Sequence, residues 1–169
     1  MNRKTVYILV AVLIVVIVAA VGGVLLWNNW IGNTKPASVA NATSLQFTAN
    51  ITPPQGVTVT HVCYGKNINA SNFMIRVDMS AGELGNWSYI LNAGQGKSWN
   101  RTNNGALTES SNFTADWDYW ETRWTNLVTN LKNWSGTGDY SYTSPNGYAV
   151  VISSITVNPD LPDSLFQPS

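Results

Sequence analysis

Charged side chains are scarce in this 169-residue chain, at 11% against about 25% for ordinary globular proteins. Nine basic and nine acidic residues cancel. Beyond Arg3 and Lys4 there is no basic cluster, so the electrostatic footprint of a nucleic-acid partner is missing. One cysteine excludes an intrachain disulfide, and a domain of this size relies on its apolar core alone. One histidine leaves little acid–base chemistry, and neither a nucleophile elbow nor a glycine-rich phosphate loop accompanies it. His61 and Cys63 lie two apart, but two ligands make a poor zinc site, which normally takes three or four. Asp116 and Asp118 point to different sides of a helix, and Asp139 is an ordinary loop acid. The sequence therefore reads as non-catalytic, with no metal and no cofactor.

What is present begins with one long apolar run. Residues 7–27, "YILVAVLIVVIVAAVGGVLLW", carry no charge. Their length as a helix is roughly 30 Å, the thickness of the hydrocarbon layer. Arg3 and Lys4 precede the run, so the positive-inside rule predicts a cytoplasmic N-terminus (1–6), a transmembrane helix (7–27) and an extracellular remainder. Trp27 and Trp30 stand where an interfacial aromatic belt belongs. A cleaved signal peptide is the alternative, but its apolar region spans about 7–15 residues and ends at small residues. The sole cysteine, Cys63, is far from the run, so no lipobox follows it.

Asn-x-Ser/Thr occurs at Asn41, Asn50, Asn69, Asn86, Asn100, Asn112 and Asn133, all beyond the apolar run. An Asn/Thr-rich chain makes such patterns freely. Their one-sided placement nevertheless predicts a glycoprotein ectodomain.

Residues 28–43 are polar, contain Gly32 and Pro36, and read as a stalk. From residue 44 the chain alternates. In "SLQFTANIT" Leu45, Phe47, Ala49 and Ile51 share one face. In "VTVTHVC" Val57, Val59, His61 and Cys63 do the same, completing a hairpin. "NFMIRVDMS" puts Phe73, Ile75, Val77 and Met79 on one face and Met74, Arg76 and Asp78 on the other. "WSYILNA" and "KSWNRT" continue the meander, and "NNGALTES" reads as a loop. Near the end, "GDYSYTS" and "YAVVISSITVN" form another hairpin. An irregularity is expected at Ser153–Ser154, where the apolar face switches. The tail carries three prolines after Asn158, with Leu161, Leu165 and Phe166 pinning it down.

One segment has helical spacing. Trp117, Trp120, Trp124, Leu127, Val128, Leu131 and Trp134 fall within about a 120° arc at helical pitch. Thr114 is the expected N-cap and Gly136 the stop, which predicts a helix from about 115 to 134. Core packing against a sheet is the simple account of this stripe. Bulky tryptophans also serve as walls for apolar ligands, so the stripe either seals a groove or leaves it open.

Two stretches together resemble the LolA/LolB-like lipoprotein carriers: "FMIRVDMS…WSYILNAGQGKSW" and "ITVNPDLPDSLF", covering 73–99 and 155–166. The tail, with Asn158, Pro159, Leu161, Pro162, Asp163, Ser164, Leu165 and Phe166, is the more specific part. The resemblance implies a curved antiparallel half-barrel whose concave apolar face holds lipid under helices. Arg76 matches the arginine of that family's strand motif and is implied as a polar contact near the lid. The chain departs from the family in its shorter ectodomain, its single helix and its tether, and its sequons suit an archaeal surface.

The expected fold is thus α+β, a curved antiparallel sheet with one Trp-rich helix on its concave face and an N-terminal transmembrane helix. The expected role is a membrane-anchored binding protein for a lipid, lipoprotein or other apolar ligand. The ligand would contact Trp117, Trp120, Trp124, Leu127, Leu131, Phe73, Ile75 and Arg76. The rival is a structural cell-surface subunit, pilin-like or surface-layer-associated, although "NRKTVY" lacks the small residue a pilin leader places before its apolar run. Oligomeric state stays open, as does a third reading, a partner-binding module of a membrane complex.

Overall fold

A computed structural model describes residues 38–168. The expected membrane helix at 7–27, and the cytoplasmic segment before it, lie outside the described residues. Among the described residues no helix is long and apolar enough to cross a membrane.

The alternating segments become strands: β1 (Ser44–Thr52), β2 (Val59–Lys66), β3 (Met74–Ser80), β4 (Asn86–Asn92) and β5 (Lys97–Thr102). A two-residue β6 (Thr108–Glu109) follows, inside the stretch expected to be loop. Next comes the single long helix, α1 (Phe113–Leu131), then β7 (Tyr140–Thr143) and β8 (Ala149–Val157). All eight strands form one curved, open sheet in the order β6-β5-β4-β3-β2-β1-β8-β7, antiparallel at every pair.

This order explains why the helix exists. The meander ends at one edge with β6, yet β8 must pair with β1 and bring β7 to the other edge. Seven interstrand steps of about 4.8 Å come to about 34 Å. A 19-residue helix is about 28 Å long. Helix and flanking loops together carry the chain across the sheet.

Strand alternation divides the apolar residues between two faces. On the helix side Phe47, Cys63, Ile75, Val77 and Leu91 join Trp120, Trp124, Leu127 and Leu131 in one core. On the opposite side Met74, Ile90 and Trp99 pack with Leu161 and Phe166 of the tail. The tail is pinned as its sequence suggested, with Phe166 fully buried in a 3-10 turn over Asp163–Phe166.

The irregularity in β8 is real. Thr48 pairs with Ser153 but Gln46 with Thr156, so β8 holds one extra residue opposite Phe47. Ser154 takes it up with φ of 52°. The bulge moves the inward set from Val150 and Ile152 to Ile155 and Val157, all of which pack in the helix-side core.

Three expectations need correction. The helix begins at Phe113, because Asn112 and not Thr114 caps it: the Asn112 side chain accepts a hydrogen bond from the Ala115 N–H at 3.2 Å. It ends at Leu131, and Trp134 lies beyond it. The Trp134 indole N–H instead donates to the carbonyls of Thr137 and Gly138 at 3.1 and 2.9 Å, tying down the turn that follows. Residues 38–43 are packed structure and not stalk. Val39 and Ala42 are buried, and the Thr43 N–H donates to the Asn158 side chain at 2.8 Å.

Candidate functional site

The tryptophan stripe and the sheet beneath it hold seven of the eight expected ligand contacts. α1 is fixed at its start by Asp116, whose carboxylate accepts a hydrogen bond from the Ser98 hydroxyl of β5 at 2.7 Å. One turn on, Trp120 packs on Tyr89 of β4, ring centroids 4.7 Å apart. Trp124 meets Phe47 at 5.5 Å and Phe73 at 5.7 Å. Its six-membered ring also covers Gly65, occupying the space where a Cβ would stand. Only glycine permits that approach of indole to strand. Leu127 and Leu131 complete the seam, and Ile75 lies fully buried beneath it.

The stripe therefore has two unequal parts. Trp120 and Trp124 are each 5% exposed and Leu131 is 0%, which makes this part close-packed core in the ordinary sense. Trp117 is only half-buried. Its ring stands edge-on to Phe73 at 5.6 Å and tilted against Phe113 at 5.7 Å. These three rings wall a cavity of about 350 Å³ that opens to solvent, which Asn69, Ser71 and Glu121 also line.

Arg76 is not in this site. β3 alternation puts it on the opposite face, as the sequence pattern indicated and against the role the carrier resemblance implied. Its guanidinium donates to Asp78 at 2.8 Å and to the Leu165 carbonyl at 3.0 Å. Lys66 does similar work nearby, donating to the Leu161 carbonyl at 2.6 Å and the Asp163 carboxylate at 2.5 Å. Both cations hold the tail on the sheet.

His61 and Cys63 face the helix side from β2. Burial holds the His61 imidazole below its ordinary value; its contact with the Val59 carbonyl opposes this, and the positive charge of Arg123 on α1 reinforces it. Arg123 itself lies over the Tyr119 ring, 4.0 Å from its centroid. Cys63 is buried, and desolvation pushes its thiol far up, where it is a poor nucleophile. Among the described residues no group of three His, Cys, Asp or Glu side chains could hold a metal ion.

Five of the seven sequon asparagines are exposed; Asn50 and Asn100 are half-buried. The Asn50 carboxamide accepts a hydrogen bond from the Thr60 hydroxyl at 2.7 Å.

Sequence reasoning missed Gly65, Tyr89, Phe113 and the place of the Asn69–Ser71 sequon beside the cavity. Gly65 left a signal: a lone glycine inside a strand marks a close approach. The others left none, because their contacts depend on where α1 crosses the sheet. No protein-family model, no curated protein and no solved structure matches this chain.

Proposed function

We propose that this protein is a structural cell-surface subunit. It is a glycosylated, non-catalytic ectodomain, tethered by residues 7–27, that acts through its outer surface. In this reading the sheet is a half-barrel with α1 on its concave side, the N-terminus is cytoplasmic and the domain from residue 38 is extracellular.

The observation that carries the proposal is the seal at Trp124. Gly65, Phe47 and Phe73 close around its ring, so the large apolar surface that first suggested a lipid groove stabilises the fold itself. The apolar run and the sequons beyond it support the location. The buried Cys63, whose thiol is pushed far from the reactive thiolate, supports a non-catalytic role.

A second reading, the LolA-like carrier of lipid or lipoprotein, has one observation in its favour, the aromatic-walled cavity at Trp117. At about 350 Å³ it lies near the low end of small-ligand sites, which span about 300–1,000 Å³. Native mass spectrometry of the full chain released from membranes separates the two. The structural reading expects polypeptide plus glycan mass only. A stoichiometric lipid that survives gentle detergent exchange, and is lost on Trp117→Ala, would overturn it in favour of the carrier.

A further inference from the structure

The loop between β2 and β3 carries the sequon Asn69-Ala70-Ser71. Its backbone is set by hydrogen bonds from Ile68 N–H to the Thr43 carbonyl at 2.9 Å and from Ala70 N–H to the Asn67 carbonyl at 3.0 Å. Asn69 stands in the left-handed region, φ 68°, which asparagine tolerates better than most residues. It is exposed, and it is one of the residues that line the Trp117 cavity. Asn50 and Asn112, by contrast, hold their carboxamide oxygens in hydrogen bonds to Thr60 and Ala115.

The cavity's helix wall is a single row. Trp117, Glu121 and Thr125 all line it and follow one another at i, i+4 and i+8, so they stack along one side of α1. In order they offer an indole, a carboxylate and a hydroxyl. A pyranose has complementary chemistry. One face presents C–H groups that suit the electron-rich face of an indole, and its rim of hydroxyls suits Glu121 and Thr125. The volume matches a ring or two of sugar.

We infer that the sugar attached to Asn69 folds back into this cavity and stacks on Trp117, making that glycan part of the folded domain. The inference rests on the extracellular reading above. Attachment joins the anomeric carbon of a polyisoprenyl-phosphate-linked sugar to Asn69 Nδ2. The amide gives up one proton and the lipid phosphate leaves, a transfer carried out by the cell's membrane transferase and not by this chain. Free saccharides bind such shallow sites weakly. A sugar tethered beside the cavity faces an effective concentration of about millimolar for a short flexible link, which offsets part of that weakness.

The test uses the full chain, produced once in a glycosylating host and once without glycosylation. Glycopeptide mass spectrometry should find Asn69 occupied. Ser71→Ala, which abolishes the sequon but leaves Asn69 in place, should lower the Tm of the glycosylated protein by about 3 °C and leave the unglycosylated Tm unchanged. Asn133→Gln, which abolishes the exposed Asn133 sequon and leaves the Ser135 hydroxyl on the Thr137 carbonyl, should move neither. Proton NMR should show ring-current upfield shifts of the Asn69-linked sugar that diminish in Trp117→Phe, a variant that keeps an apolar wall. Asn69 empty while other sequons are occupied, or Asn69 occupied with sugar protons at free-solution positions, overturns the inference and leaves the location intact. No sequon occupied in a glycosylating host overturns the extracellular reading itself.

Discussion

Trp124 and Gly65 share one space: the indole ring of the helix residue lies where the side chain of the strand residue would stand. In an open groove Gly65→Ala would be neutral or mildly stabilising, since glycine weakens a strand. In the sealed fold it overpacks a rigid, buried ring. Gly65→Ala should cost about 1–3 kcal/mol in urea or guanidinium unfolding. Combined with Trp124→Leu, the double variant should cost less than the sum of the singles. Wild-type stability in Gly65→Ala would show that the seam has room to spare.

Arg76 binds the tail from the sheet's other face through the Leu165 carbonyl and is itself braced by Asp78. Arg76→Ala should lose roughly 1.5–3 kcal/mol, the range for a hydrogen bond to a charged group. It should also speed hydrogen exchange at Leu165 and Phe166 ahead of the sheet. Arg76→Lys should recover only part of this, since lysine lacks the planar fork. Unchanged exchange in the tail of Arg76→Ala would refute the clamp.

Asn112 is both a sequon and the helix cap, and two substitutions separate these roles. Asn112→Ala removes both and should cost about 1 kcal/mol. Asn112→Asp removes the sequon but keeps an acceptor for the Ala115 N–H and adds a favourable charge at the helix N-terminus. In unglycosylated protein the aspartate variant should match or exceed wild type while the alanine variant falls. Equal loss in both would mean that the cap contributes nothing.

His61 makes stability depend on pH. Its folded pKa is lowered from 6.5 chiefly by burial, so as pH falls through that ordinary value the unfolded chain binds a proton the folded chain refuses. Stability is full above pH 6.5, declines below it, and levels off once the folded imidazole protonates. Denaturation midpoints between pH 8 and 5.5 should show this slope, and His61→Phe should flatten it. A slope identical in the variant would assign the effect to other groups.

Much of the fold was legible in the sequence because it rests on local periodicity. Alternation in "SLQFTANIT" and "NFMIRVDMS" marked the strands and even the face of Arg76. The recurrence of Trp117, Trp120, Trp124 and Leu127 marked the helix, and the phase change after Ile152 marked the bulge. Boundaries were less legible where side chains compete. Asn112 and Thr114 are both good caps, and only the position of the Ala115 N–H chose between them.

By itself the sequence determined most of the element types and inward faces and the tail's apolar anchors, since a period of two or 3.6 residues is a property of the chain and its neighbours; β6 arose where a loop was expected, and Val57, expected on the inward face, lies outside β2 and is exposed. Tertiary structure alone decided what the tryptophans do. Whether an indole seals a groove or walls a cavity depends on the residue opposite it across the fold. Trp124 meets Gly65 on β2, 59 positions earlier in the sequence, and is buried; Trp117 lines a cavity together with the Asn69–Ser71 loop and stays half-buried. Both are tryptophan on one stripe of one helix. The crossing of α1 over the sheet, a non-local fact, made one of them core and left the other beside an open cavity.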